Sequence, residues 1–290
     1  MFPAMPSTRR VRSANDEFQL ALALRLNRRQ RQQQRRFVVE GVRAIDGALA
    51  GGWSIDAFWY AAGRPLSRWA ESILANSCAR LHVEWAPELM AELSGKDDPS
   101  ELLAVAQIPP DDLGRIEPDA AAVVLVCDRL ARPGNLGSLI RSADAFGADG
   151  VVVTGHAADV YDPQTVASSA GSLFSLPVVR AGSPEAVHEW IVALRARGLG
   201  IQLVGSSARA ETAVSELDLS PPTVLVVGSE TSGLSWGWKQ RCDALVAIPI
   251  VGSATSLNVA AAASILLYEI GRQRHSRCVQ DGTSDRRQVR

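Results

Sequence analysis

The sequence predicts an α/β protein: a small first domain, then a second domain built on a parallel sheet flanked by helices. Three observations carry this. Apolar runs of strand length alternate with helix-length periodic segments along most of the 290 residues. Runs in the second half, such as VVLVC at 123–127, are apolar without alternation, as strands covered on both faces are. Three segments, at 123–146, 224–234 and 248–270, pass from such a strand through a loop of small or polar residues into a helix. In an open parallel sheet these loops meet at the carboxyl ends of the strands, where ligands bind.

Residues 1–14 are rich in Pro, Ser and Arg and read as a disordered tail. Asn15 or Asp16 caps a helix running to about Arg36, with Leu20, Ala23 and Leu24 on one face and Arg on the other. Strands follow at 37–39, 55–60, 81–85 and 102–107, with helices through Leu49, at 67–76 and at 87–93. These make a first domain over 15–108. Paired prolines and acidic residues mark 109–119 as a linker. The second domain, 120–273, has strands at 123–127, 150–154, 177–180, 201–204, 224–227 and 244–250. Its helices fall at 136–146, 185–197, 236–242 and 257–273, and one more opens with Asp162 as N-cap and Pro163 at its first position, running to about Ser172. Residues 274–290 are polar and read as a flexible tail.

Net charge is −1, so the whole chain carries no basic signal for nucleic acid. The distribution does: through Arg36 there are nine Arg against Asp16 and Glu17 alone. Arg28, Arg29, Arg31, Arg35 and Arg36 are either a solvated helix face or an RNA-backbone contact. The four cysteines, Cys78, Cys127, Cys242 and Cys278, form no CxxC and have no His at ligand spacing. A reducing compartment and no metal site are expected. No apolar run reaches spanning length and the N-terminus has no signal-peptide core, so a cytoplasmic protein is expected.

None of the three loops is GxGxxG or GxxxxGK[ST], and GxSxG is absent, which leaves nicotinamide, nucleoside-triphosphate and serine-hydrolase chemistry without support. The loops read PGNLGSLIRSADAFG at 133–147, VGSETSGLS at 227–235, and IPIVG at 248–252 followed by SLNV at 256–259. Together, in this order and after these strands, they resemble the SpoU (TrmH) family of RNA ribose 2′-O-methyltransferases, of the SPOUT superfamily. The likeness covers about 120–273. The first domain, notably FVVEG at 37–41, is similar to the L30e-type RNA-binding domain that precedes it in many relatives. The run HAADVYDP at 156–163, with GSLFSLP at 171–177, is similar to members that methylate a uridine of 23S rRNA and confer resistance to orthosomycin antibiotics of the avilamycin type.

The resemblance implies a deep trefoil knot in the last loops, S-adenosylmethionine as cofactor, RNA as substrate, and a homodimer formed through the knotted domain. It implies catalytic roles for Arg141, Asn135, Glu230, Ser256 and Asn258, and cofactor contacts at Gly228, Ile248 and Leu257. Gly205, in the loop after Val204, is expected to line the same pocket. A guanidinium is a donor only, so Arg141 is expected to orient a phosphate and stabilise the developing alkoxide rather than act as a base. The bland alternatives are an Arg141–Asp144 surface pair, helix capping by Asn135, Ser256 or Asn258, and a dipole-favoured carboxylate at Glu230. Where the family commonly has Asn, this chain has Ser229, and where it commonly has Ser, this chain has Ala260. Other readings are a housekeeping 2′-O-methyltransferase for tRNA or another rRNA site, or an RNA-binding or assembly factor without catalysis.

Overall fold

The computed structural model describes residues 7–77, 79–96 and 98–281, with side chains through 277. The described residues divide into two compact units. One holds the residues up to Pro109 together with Asp159–Ser175; the other holds Pro110–Ala158 and the residues from Leu176 onward.

The first unit begins with a correction. Ser7–Val11, expected to be disordered, form strand β1, which pairs in parallel with Leu81–Trp85. Val11 lies in the core at 3% exposure, Arg9 pairs with Glu17 and Arg10 with Glu84, so one apolar anchor and two ion pairs add to the strand pairing of a stretch whose composition reads as tail. The helix expected from 15 to 36 is two: α1 (Asp16–Leu26) and α2 (Arg28–Gln34). Asn27 breaks it. Its backbone is extended, and its side-chain oxygen accepts from the amides of Arg29 and Gln30, which makes it the N-cap of α2. Then come β2 (Arg36–Glu40), α3 (Val42–Ala50), β3 (Ile55–Ala61), α4 (Arg68–Asn76, capped by Ser67), β4 (Leu81–Trp85), α5 (Pro87–Ser94) and β5 (Leu102–Gln107). The sheet order is β1-β4-β3-β5-β2. Phe18, Leu24, Trp59, Val83, Trp85, Leu89 and Met90 form the core under α1 and α5.

The second unit has a seven-stranded parallel sheet. The segment read as a linker packs into it: Ile116 is 2% exposed, Arg115 donates to the Val178 carbonyl, and Asp111 accepts from the Arg180 amide. Next come β6 (Val123–Asp128), α6 (Pro133–Ala145), β7 (Gly150–Thr154), α7 (Pro163–Ser168, in the segment that belongs to the first unit), β8 (Val178–Ala181) and α8 (Pro184–Ala196). They are followed by β9 (Gln202–Ser206), a short β10 (Thr212–Ala213), β11 (Thr223–Val227), α9 (Trp236–Lys239), β12 (Ala244–Ala247) and α10 (Val259–Asp281). The last helix runs past residue 274, the expected start of a flexible tail. Arg274 anchors it by donating to the carbonyls of Ala121, Ala122, Leu219 and Pro221.

Strand order is β10-β12-β9-β11-β6-β7-β8. The chain leaves β6 toward β7 and β8, returns to β9, and then inserts β11 between β9 and β6. The crossovers after β6 and β11 depart in opposite directions. The carboxyl ends of these neighbouring strands therefore form a topological switch point, where open parallel sheets leave a crevice.

Candidate active site

Three loops follow the carboxyl ends of β6, β11 and β12. A hydrogen-bonded chain joins them. Asn135 donates from Nδ2 to Glu230 Oε1 at 2.7 Å. Asn258 donates from Nδ2 to Asn135 Oδ1 at 3.3 Å. Asn258 Oδ1 in turn accepts from the amide of Ala260 at 2.9 Å, which caps α10. Asn258 thus bridges to Asn135 and caps a helix at once. Asn135 is no cap: α6 begins at Pro133, two residues earlier, and its N-cap is Arg132, whose side chain makes no capping bond.

The loop carrying Glu230 is closed on itself. Ser229 and Gly233 exchange backbone hydrogen bonds, at 3.1 Å from the Ser229 amide and 2.9 Å from the Gly233 amide. The Ser229 hydroxyl accepts from the Thr231 amide at 3.3 Å, so a Ser at this position supplies a local turn bond. Gly228 has no room for a side chain: a Cβ there would meet the backbone of Gly233 and Leu234 at 2.2–2.5 Å. Gly205 is closed differently, with Leu234, Leu245 and Cys242 side chains 2.7–2.8 Å from where its Cβ would be. Its glycine is demanded by packing of the sheet.

Below the loops lies a buried brace that sequence reading did not single out. Asp128, 1% exposed, accepts from the Ser235 amide at 2.8 Å and from Thr154 Oγ1 at 3.3 Å. Arg129, in the left-handed region at φ 57°, donates to the Gly233 carbonyl at 2.9 Å. An Asp-Arg pair at the end of an apolar strand was the available signal. A second such contact is Ser142 to Ser264, hydroxyl to hydroxyl at 2.8 Å, between α6 and α10.

Arg141 is exposed on α6 and makes no hydrogen bond or ion pair with a described residue; the alternative pair with Asp144 does not form. Ser256 and Leu257 are exposed in the third loop and Ile248 is half-buried. Ile250, Val251 and Leu257 leave apolar surface uncovered there, with Val251 fully exposed. Glu230 is the one carboxylate in the second and third loops, 227–235 and 248–259. Cys242 lies below them, its thiol pushed up to about 12 by burial and by Asp243. Among the described residues no group of His, Cys, Asp and Glu is arranged to hold a metal ion, and no helix is long and apolar enough to cross a membrane.

The arginines assigned to RNA separate sharply. Arg31 is 2% exposed: it pairs with Asp159 at 2.8 Å and Asp162 at 3.5 Å, and donates to the carbonyls of Leu24 and Arg25. Its expected RNA contact is corrected, because a buried, saturated guanidinium cannot reach a phosphate. Arg35 donates to the Ile108 and Pro109 carbonyls, and Arg36 pairs with Asp56. Arg28 and Arg29 stand exposed on α2.

Comparison with known proteins gives the family. Residues 122–268 match the SpoU rRNA Methylase family, and residues 15–104 match the SpoU L30e-like domain. The chain belongs to the SpoU methylase family. It is 47% identical, over 93% of its length and 94% of the relative's, to the 23S rRNA (uridine(2479)-2′-O)-methyltransferase of Streptomyces viridochromogenes. The SpoU methyltransferase AviRb of the same organism, solved in complex with AdoMet, superposes with a TM-score of 0.86 at 46% identity, covering 90% of this chain and 99% of that one. The AdoMet-bound rRNA methyltransferase of Sinorhizobium meliloti is similar at a TM-score of 0.80 and 30% identity, over 91% and 98% of the two chains. Within this SpoU fold the Asn135–Glu230–Asn258 chain occupies the switch point of the methylase domain.

Proposed function

We propose that this chain methylates the ribose 2′-hydroxyl of a uridine in 23S rRNA, with S-adenosylmethionine as donor. The Streptomyces viridochromogenes relative, 47% identical over nearly the whole chain, carries that activity in its name. The observation that supports it in this chain is the hydrogen-bonded link between Asn135, Glu230 and Asn258, which ties three loops into one site.

The residues fit the donor. Adenine and ribose need a flat, largely apolar slot with backbone donors rather than a charged partner. The tight turn at Gly228, the uncovered Leu257 and Ile250, and the half-buried Ile248 have that character. When bound, S-adenosylmethionine supplies a methyl group made electrophilic by its sulfonium.

The chain's task is to place a weakly nucleophilic hydroxyl and remove its proton. Arg141, with no partner inside the described residues, orients a phosphate of the RNA and stabilises charge developing on the ribose oxygen. Asn135 fixes Glu230 through Oε1; no described residue bonds Oε2, which is left to accept the hydroxyl proton. Ser256, exposed beside Asn258, holds ribose or phosphate.

The reading extends to assembly and biology. Phe146, at the end of α6, and Ile265 and Tyr268, on α10, are 41%, 40% and 57% exposed. A homodimer through this face would cover them, and sedimentation equilibrium tests it. Arg28 and Arg29 contact RNA phosphates. The enzyme works in the cytoplasm, where ribosomes are, and protects them from orthosomycins. The deciding experiment maps ribose methylation on 23S rRNA from cells with and without the protein, alongside avilamycin susceptibility. A uridine methylated only in its presence supports the reading; methylation confined to tRNA overturns it.

A further inference from the structure

We propose that Trp236 and Lys239 form a subsite for an unstacked nucleotide of the RNA, the base lying on the indole and its phosphate meeting the ammonium. The inference rests on the activity proposed above and adds to it a binding element outside the three loops.

Trp236 is 74% exposed, although α9 is firmly mounted. Its neighbour Trp238 is fully buried and donates from Nε1 to Thr154 Oγ1 at 3.3 Å. Thr154 donates to Asp128, and Asp128 accepts from the Ser235 amide at the start of α9. Past the other end, Arg241 pairs with Glu185 at 2.7 Å and donates to the Gly237 carbonyl at 2.8 Å. One indole of the pair therefore anchors the helix in the core, and the other is held out in water by it.

Lys239 follows at i+3, which places it on the same face of the turn as Trp236. It is exposed, its ammonium bonds no described residue, and it is one of only two lysines in the chain, the other being Lys96. A flat aromatic face beside an unengaged cation is the pairing that binds one nucleotide of a single strand: the face takes any base, the cation takes its phosphate. A stacked duplex offers no such base, so the subsite selects a loop or a splayed-out nucleotide.

Its position fits the site. Trp236 lies three residues beyond Gly233, which closes the Glu230 loop against Ser229. That path is at most about 11 Å fully extended. A nucleotide on Trp236 would therefore lie beside the loop that carries Glu230.

The test uses the full chain with two probes, a fluorescein-labelled oligouridylate and a 23S rRNA transcript. W236A is expected to weaken binding of both about tenfold, and W236F to restore most of it. K239Q is expected to make the salt dependence shallower by about one phosphate contact. In methyl transfer, the W236A loss falls on KM for RNA rather than on kcat, and the rise in Tm produced by S-adenosylmethionine is unaltered. Binding of W236A to both probes within twofold of wild type, or a loss that W236F does not restore, overturns the subsite. Failure of the wild-type chain to transfer methyl to any RNA would instead overturn the activity, whatever Trp236 does.

Discussion

Asn135 and Glu230, ninety-five positions apart, are joined at 2.7 Å between Nδ2 and Oε1. The bond crosses from the first turn of α6 to the loop after β11, and Asn258 extends it to the start of α10. A carboxylate held by a primary amide is fixed in rotamer while keeping its second oxygen free. Asn135→Ala should lower methyl transfer by about a hundredfold, in the range seen when a group positioning the reacting atoms is lost. Glu230→Gln should do at least as much. Glu230 is exposed and Asn135 half-buried, so thermal melts should shift by no more than about 1 kcal/mol equivalent. A large drop in Tm would show these groups to be structural.

Arg141 should be the residue whose loss costs kcat. Arg141→Ala is expected to reduce kcat by about 10²–10³, the scale of one charge-stabilising donor. Arg141→Lys should recover little, because an ammonium cannot present a planar fork to phosphate. Transfer by Arg141→Ala equal to wild type, measured with labelled donor and rRNA, sinks the assignment.

Arg31 should behave oppositely. Truncating it leaves Asp159, itself buried, without its cation. Arg31→Ala is expected to cost about 3–5 kcal/mol in urea melts, as removing one partner of a buried pair does. Arg29→Gln should leave stability within about 0.5 kcal/mol, as surface changes do. It should also flatten the salt dependence of RNA binding by up to about one contact.

Gly228→Ala tests the closed loop. The added methyl would collide with backbone that has no rotamer to escape into. The turn must open, so affinity for S-adenosylmethionine, read by calorimetry, should fall at least tenfold. Gly205→Ala meets side chains instead and should act mainly on Tm.

Glu40 sets an acid limit on the first unit. Burial raises its pKa, but hydrogen bonds from Ser94, Ser100, Arg25 and Lys96 outweigh that and leave it below the usual 4.5. A carboxyl with a depressed folded pKa stabilises the fold at pH above its unfolded value, and that contribution disappears as pH falls through the folded one. Glu40→Gln should therefore destabilise at pH 7, and the gap to wild type should close below about pH 4.5, in denaturant melts from pH 7 to 3.

The sequence by itself determined the α/β class, nearly every strand, and the order of the three loops. Uninterrupted runs such as residues 123–127 and the Gly/Ser turns after them are local signals, and the SpoU motifs lie within single stretches. It also singled out candidate site residues, of which the structure brings Asn135, Glu230 and Asn258 into one chain of bonds. What it did not show are the partners of charges. Six arginines between Arg25 and Arg36 look alike in sequence, yet Arg25 pairs with Glu40, Arg31 with Asp159 and Arg36 with Asp56. The same holds for the segment Asp159–Ser175. Its motif was legible, but only the fold puts Tyr161 and Phe174 against Phe37 and Trp53 of the first unit. Periodicity and turn chemistry are properties of neighbours along the chain. Burial of a charge, or of an aromatic pair more than a hundred residues apart, exists only once the chain has folded and removed both partners from water.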